Sequence, residues 1–318
     1  MSAVEDYVTA DESGENWTMM LGDACERLGE IATDSVDLSV QSPPFAGLFI
    51  YSPSPRDLGN SASTGEFMQH YSFVIREQLR VTRPGRWACV HVQNTTTTKA
   101  THGHMGVVDF RGDVIREFVK AGWIFGGEVT VFKDPQAQAI RTKAHALMFV
   151  TKNRDSAGSR PALADYLLLF RKPGDNAVPI KTDVTNDEWI EWAGPIWRDH
   201  HDGGWLAEDG FICPVWFGIR ESDTLNVKVA REDADERHIT PLQLAFVDRC
   251  VRLWSNPGEL VLSPFAGIGS ELYQAVKRGR RATGVELKPS YFHTAVENLR
   301  RLESEMAAPT LFDESEAL

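Results

Sequence analysis

The stretch from Leu260 to Glu286 narrows the choice of fold more than any other part of the chain. Leu260-Val261-Leu262 reads as a short buried strand, and Gly267-Ile268-Gly269 as a turn into a helix that continues through Lys277. Ala282-Thr283-Gly284-Val285-Glu286 reads as a second strand ending in an acid. A strand, a Gly-x-Gly turn, a helix and a strand closed by a carboxylate make a nucleoside-binding βαβ unit. Glycine lets a ligand approach the backbone, the helix N-terminus offers free amides, and the acid accepts both ribose hydroxyls. Glu286 lies seventeen residues beyond Gly269, close to the separation of about twenty found in dinucleotide folds. The third glycine of the dinucleotide fingerprint is missing, with Glu271 and Leu272 in its place on the helix. That absence favours S-adenosyl-L-methionine over a cofactor carrying a pyrophosphate.

The same alternation runs through the rest of the chain. Val36 to Val40 is a β-branched run that stops at Ser42-Pro43-Pro44, because proline has no N–H for a ladder. Phe67, Tyr71, Val74, Ile75 and Leu79 fall at helical spacing, and Arg83-Pro84-Gly85 ends that helix before a strand from Trp87 to Val92. A helix near Val107 to Ala121 and strands at Val129–Phe132 and Ala146–Val150 follow. Thr240-Pro241 supplies an N-cap and a first-turn proline for a helix carrying Leu242, Leu244, Ala245, Val247, Val251 and Leu253. The last helix spans about Ser290 to Glu303. Helices between strands predict an α/β fold with a mostly parallel sheet and ligands at its C-terminal edge. Residues 152–237 loosen into Gly, Pro, Asp and Trp and read as an inserted, loop-rich region. It separates an N-terminal half, 16–151, from a cofactor half, 238–303, with acidic tails at 1–15 and 304–318.

Composition excludes several classes. With 318 residues, 42% hydrophobic and 25% charged, the chain is large enough for one sizeable globular core. No apolar run reaches membrane length, and Met1 to Glu15 is acidic where a signal peptide is basic and then apolar, so no membrane association and a cytoplasmic location are expected. Cys25, Cys89, Cys213 and Cys250 are too far apart for a zinc ribbon or a disulfide framework, and read as reduced, buried thiols. A net charge of −12 argues against a protein that coats nucleic acid through phosphate neutralisation. Lys133 to Lys181 departs from that balance, with nine Lys and Arg against four Asp, and is where contact with DNA is expected, through Arg141, Lys143, Arg154 and Arg160.

Ser42-Pro43-Pro44-Phe45 carries the second chemical signal. Two prolines fix the backbone so that carbonyls point into a cleft, serine adds a small acceptor, and Phe45 offers a π face for a flipped base. An exocyclic amine conjugated to its ring is a poor nucleophile. Hydrogen bonds from it to the Ser42 hydroxyl and the Pro43 carbonyl favour a pyramidal nitrogen whose lone pair can attack a methyl group. No Pro-Cys pair occurs, and Cys213-Pro214 has the order reversed, which disfavours covalent methylation of cytosine carbon 5.

With both motifs in view, the chain resembles the β-class DNA amino-methyltransferases, phage-borne members included, in which the catalytic motif precedes the cofactor motif. The resemblance runs through Leu21-Gly22-Asp23, Val36-Asp37, Ser42-Pro43-Pro44-Phe45 and Arg83-Pro84-Gly85, and resumes at His238-x-Thr240-Pro241-x-x-Leu244, Phe265-x-Gly267-x-Gly269, Gly279-Arg280 and Gly284-x-Glu286. It implies a circularly permuted, Rossmann-like S-adenosylmethionine-dependent fold in which 152–237 is the target-recognition region. It also implies site roles. Asp23 would meet the adenine end of the cofactor, Thr240 and Pro241 the methionine end, Phe265, Gly267 and Gly269 the loop, and Glu286 the ribose, with Ser42 to Phe45 as the catalytic site. Many relatives carry Asp where this chain has Ser263, which implies a weaker contact to the methionine amino group. Serine at the head of the tetrapeptide is typical of cytosine-N4 enzymes, whereas adenine-N6 enzymes usually carry Asp or Asn.

Other features read more simply. Asp199-His200-His201-Asp202, and His102 with His104, belong to turns, so no metal is expected. The tryptophans from Trp189 to Trp216 read as packing. The function expected is methylation of a flipped cytosine N4 in DNA. Adenine N6 is the alternative, an RNA or protein methyltransferase comes third, and a catalytically silent DNA-binding or antirestriction protein is the reading from another class. A companion restriction nuclease is compatible with this but not implied.

Overall fold

The structure is a computed structural model that describes residues 8–44, 56–61, 63–97, 99–132, 163–193, 215–216, 219–220, 222–226 and 241–308. In chain order the strands are β1 (Ala10–Ser13), β2 (Trp17–Leu21), β3 (Val36–Gln41), β4 (Thr82–Gln93), β5 (Thr95–Thr97), β6 (Gly106–Val108), β7 (Ile124–Val131), β8 (Asp165–Arg171), β9 (Val215–Trp216), β10 (Leu260–Ser263) and β11 (Arg281–Glu286). The helices are α1 (Ala24–Arg27), α2 (Thr64–Val81), α3 (Lys99–His102), α4 (Phe110–Lys120), α5 (Asn186–Ala193), α6 (Leu244–Trp254), α7 (Ser270–Lys277) and α8 (Pro289–Ala307).

Nine strands form one sheet in the order β1-β2-β11-β10-β3-β4-β8-β7-β9, and β5 pairs with β6 separately. Five consecutive strands, β2, β11, β10, β3 and β4, run parallel. β8 is antiparallel to both β4 and β7. The permuted order is visible in the pairing of β10 with β3, where Val261 lies opposite Leu38 and the Asp37 carboxylate accepts the Leu260 N–H at 2.9 Å.

Side-chain alternation along the strands sorts the core into two layers. Leu38, Val40, Cys89 and Leu167 face α6, α7 and α8, where Phe246, Cys250, Leu272, Ala275, Phe292 and Leu299 pack. Ala88, Val90, Leu168 and Phe170 face α2 and α4, packing on Phe67, Tyr71, Val74, Phe110 and Phe118, and a register irregularity between Val36 and Leu38 places Val36 in this layer too. Cys89 and Cys250 are buried free thiols, Cys25 is half-buried, and Cys213 lies outside the described residues. Trp192 of α5 packs over the guanidinium groups of Arg249 and Arg252 on α6, at 5.3 and 5.1 Å from its ring centre. Trp197 and Trp205 lie outside the described residues.

Several sequence expectations shift. Pro84 and Gly85 sit inside β4 instead of before it, because α2 passes directly into the strand at Thr82. The helix expected from Thr240 begins at Leu244 with Gln243 as N-cap, leaving Pro241 outside it. The short run Gly106–Val108 is a strand, so α4 starts at Phe110, capped by the Asp109 side chain on the Gly112 N–H. Within residues 152–237, read as loop-rich and inserted, β8 takes a place inside the sheet between β4 and β7. The strand expected at 146–150 lies outside the described residues. Among the described residues no helix is long and apolar enough to cross a membrane, and no three His, Cys, Asp or Glu side chains converge as metal ligands.

Arg280 is a buried cation away from the cleft described below, 1% exposed. It donates to Asp183 at 2.7 Å and to the Ser255 and Arg278 carbonyls, each at 2.7 Å, joining the 178–183 segment to the start of β11. Arg280→Ala is expected to destabilise the fold by about 3 kcal/mol, at the low end for a broken buried pair because Asp183 keeps some solvent contact. Urea unfolding should show this, with Arg280→Met no worse than Arg280→Ala, since its chain retains part of the packing.

Candidate active site

Four parallel strands end at one cleft. β2 leads into Gly22 and Asp23, β3 into Ser42, β10 into the turn from Pro264 to Gly269, and β11 ends at Glu286. Parallel pairing of neighbours puts these carboxyl ends along a single edge of the sheet. Asp23, Ser42, Pro44, Pro241, Phe265, Gly267 and Glu286 all line the cleft that results. Pro43, Ser263 and Gly269 adjoin it in the chain but do not line it. Phe45, Thr240, Arg141, Lys143, Arg154 and Arg160 lie outside the described residues.

On one side, Glu286 organises the glycine turn. Its two carboxylate oxygens accept the N–H groups of Gly267 and Lys288, each at 2.8 Å. Gly267 has φ +53°, and a Cβ there would meet nothing within 4 Å, so its open side belongs to the cleft. Gly269 has φ +88° and caps α7, and a Cβ there would stand 3.1 Å from the Ala295 methyl of α8. Asn298 of α8 also donates to the Ile268 carbonyl at 3.0 Å. Gly269 thus serves helix packing, and Gly267 serves the cleft.

Burial dominates the acids of this side. Enclosure by protein pushes Glu286 up to about 7, against the lowering pull of its two backbone hydrogen bonds. Glu271, in the first turn of α7 and 4% exposed, is pushed up to about 8 by burial and then by the nearby Glu286 charge. Asp23 has local work: it caps α1 through the Cys25 N–H at 2.9 Å and pairs with Arg56 at 3.2 Å.

On the other side, β3 is pinned from below. Gln78 of α2 donates to Ser39 at 2.6 Å and accepts from Gln41 at 2.9 Å, a buried polar ladder that ends one residue before Ser42. Ser42 Oγ lies 3.1 Å from His91 Nδ1, and His91 Nε2 lies 2.8 Å from Asp165 Oδ2. The Phe265 ring packs against Tyr71 with centroids 5.9 Å apart.

Sequence reasoning singles out neither Glu271, which lines the cleft, nor His91 and Asp165, which meet behind Ser42 without lining it. His91 and Asp165 sit on β4 and β8, in stretches that look like ordinary strand, and only sheet pairing brings them to Ser42. Glu271 has a local signal, a carboxylate two residues beyond the second glycine of the turn, but in sequence it is indistinguishable from a helix-surface acid.

The arrangement is one cleft at the carboxyl edge of an α/β sheet, with the glycine turn and Glu286 on one side and Ser42 on the other. Residues 36–297 match the family model N6_N4_Mtase, described as DNA methylase, and the chain belongs to this family. Over 283 residues it is 38% identical to the type II methyltransferase M1.MboII of Moraxella bovis, covering 87% of this chain and 94% of that protein. The type II methyltransferase M.MjaI of Methanocaldococcus jannaschii is 22% identical, with 86% of this chain and 88% of that protein covered. Among solved structures, the putative DNA modification methylase TTHA0409 of Thermus thermophilus, complexed with S-adenosyl-L-methionine, shares the fold with a TM-score of 0.60 at 24% identity, over 89% of this chain and 94% of that one. PvuII DNA methyltransferase (cytosine-N4-specific) shares it with a TM-score of 0.58 at 17% identity, over 92% and 93%.

Proposed function

We propose that this DNA methylase transfers a methyl group from S-adenosyl-L-methionine to the exocyclic N4 of a flipped cytosine at a specific DNA site. The observation that carries the reading is the shared cleft. Ser42 and Pro44 line the same space as Phe265, Gly267 and Glu286 although the two motifs stand more than two hundred residues apart.

The residues present fit the cofactor. Glu286 offers a carboxylate for ribose hydroxyls, Gly267 leaves its side of the turn open, and the Ser270 hydroxyl on the cleft wall is buried without a hydrogen bond among the described residues. Pro241 and Phe265 add apolar walls, with Asp23 at the far end. When bound, the cofactor supplies a sulfonium whose methyl carbon is electrophilic. The protein's part would be to hold the base amine toward that carbon: Ser42 and the Pro43 carbonyl would accept its hydrogens, and Phe45 would stack on the ring. Arg141, Lys143, Arg154 and Arg160 would contact phosphates, with specificity set by the inserted region.

Ser42 at the head of the tetrapeptide supports cytosine over adenine, and the shared fold with a cytosine-N4-specific enzyme is compatible with that choice. Mass spectrometry of nucleosides from DNA treated with the protein and labelled cofactor tests the reading. N4-methylcytosine is the expected product. N6-methyladenine would replace the base assignment, and absence of label would leave a DNA-binding protein without transfer activity.

Cofactor affinity should depend on pH. Glu286 and Glu271 rise from 4.5 to about 7 and about 8, so the ligand-free fold binds more protons than the unfolded chain across that window and loses stability as pH rises through it. A ligand bringing hydroxyl donors and positive charge favours the ionised acids, so its affinity is expected to strengthen as pH rises through the same window, with release of protons. Calorimetric titration in two buffers of different ionisation enthalpy measures that release.

A further inference from the structure

We propose that Ser42, His91 and Asp165 form a hydrogen-bonded relay that fixes the Ser42 hydroxyl as an acceptor toward the target amine and takes up the proton the amine sheds. The proposal rests on the amine-transfer reading above.

Three strands contribute one member each. Ser42 follows β3, His91 is on β4, and Asp165 opens β8 opposite Gln93. Strand alternation turns all three to one face, the face of Leu38 and Val40 on β3, Cys89 on β4 and Leu167 on β8. His91 and Asp165 are 7% and 5% exposed, and the Phe246 ring packs against the imidazole in a T-shaped pair with centroids 5.2 Å apart. Gln93 donates to the second oxygen of Asp165 at 2.8 Å, so the carboxylate cannot rotate away from the histidine without losing that bond.

The proposed tautomer follows from this geometry. An ionised carboxylate only accepts, so beside an ionised Asp165 a neutral His91 carries its hydrogen on Nε2 at the 2.8 Å contact and leaves Nδ1 as an acceptor. The 3.1 Å contact from Ser42 Oγ to Nδ1 must then use the serine hydrogen. With its hydrogen turned to His91, Ser42 presents only lone pairs to the cleft that it lines. That is the polarity required to accept an N–H from an aromatic amine and localise its lone pair. The opposite tautomer would make Nδ1 a donor and turn the serine hydrogen toward the substrate, where it would meet another donor.

Proton flow uses the same line. As the amine nitrogen forms its bond to the methyl carbon, the carbon–sulfur bond breaks with its electron pair going to sulfur, and the nitrogen carries one surplus proton. That proton passes to Ser42 Oγ as the serine hydrogen moves to His91 Nδ1. The imidazolium is then held by Asp165 until it loses its proton to solvent. His91 and Asp165 are positioning residues in this scheme, since they act through Ser42.

The test reads the tautomer on the ligand-free protein and turnover on the complete reaction. In 15N-labelled protein, with the His91 resonances assigned by loss in His91→Phe, wild type is expected to carry its proton on Nε2. In Asp165→Asn, where Gln93 holds the amide oxygen and the amide N–H₂ faces the ring, the proton should move to Nδ1. Turnover on DNA should fall at least about 100-fold in Asp165→Asn, in line with the usual contribution of acid–base groups, with cofactor Kd within about threefold of wild type. His91→Phe preserves ring packing and should show the same split. A wild-type Nδ1–H tautomer would overturn the proposal, as would turnover within about threefold of wild type in either variant, or a loss of turnover matched by loss of cofactor affinity. A wild-type protein that methylates no exocyclic amine defeats the functional reading instead, and leaves the tautomer result standing.

Discussion

Gly269→Val is expected to abolish measurable cofactor binding. At φ +88° a β-branched residue is strained by more than the roughly 1–2 kcal/mol that ordinary side chains suffer in the left-handed region. The added atoms would also press on Ala295, where even the first carbon stands only 3.1 Å away. The sequence suggests that valine would fill the ligand's turn; the structure gives a different route to the same loss. The new side chain meets α8, and a turn that yields to it moves Ile268 and Gly267, whose carbonyl and N–H are tied to Asn298 and Glu286. The ribose acceptor and the loop would then shift together. Gly279→Ala separates this from general strain: its φ is +72° and nothing lies within 4 Å of the added carbon. It should cost stability and leave cofactor Kd unchanged in calorimetric titration.

Ser42→Ala is the second large effect, and it should fall on turnover alone. Removing the hydroxyl takes away one hydrogen-bond acceptor for the target amine, and steady-state kcat is expected to fall about 100-fold, as for loss of one polar group from a transition-state site. Cofactor Kd should change by less than about twofold, because the glycine turn, Glu286 and the α7 N-terminus make no hydrogen bond to Ser42 among the described residues. An equal weakening of cofactor binding would contradict the separate roles proposed for the two sides of the cleft. The two substitutions therefore read opposite sides of one cavity, the first through binding and the second through chemistry.

How much is legible in the chain depends on whether the signal is local. The βαβ unit from Leu260 to Glu286 is local: apolar runs, two glycines and a terminal acid lie within one stretch, and the observed β10, α7 and β11 follow it closely. β3 and α2 are legible for the same reason, through a β-branched run stopped by prolines and an apolar stripe at helical spacing. β8 escapes such a reading because Asp165 to Arg171 sits inside a Gly-, Pro- and Trp-rich segment. Its strand character comes from pairing with β4 and β7 on both sides, which composition cannot display. Pro241 shows how close signals compete. It looks like the first residue of a helix, yet it stays outside α6, and the helix begins only after Gln243.

By itself, the order of residues determined that β3, α2, β10, α7 and β11 would be strands and helices of an α/β sheet, that a glycine turn would precede α7, and that two prolines would end β3. Each of these follows from backbone restrictions and apolar periodicity acting over a few residues. Only the tertiary structure decided that β10 lies beside β3, that Glu286 draws the Gly267 amide to itself, and that Ser42, His91 and Asp165 meet. Those contacts join residues from 19 to more than 200 positions apart, and they exist because the sheet sets β10 between β3 and β11 and lays β8 antiparallel beside β4.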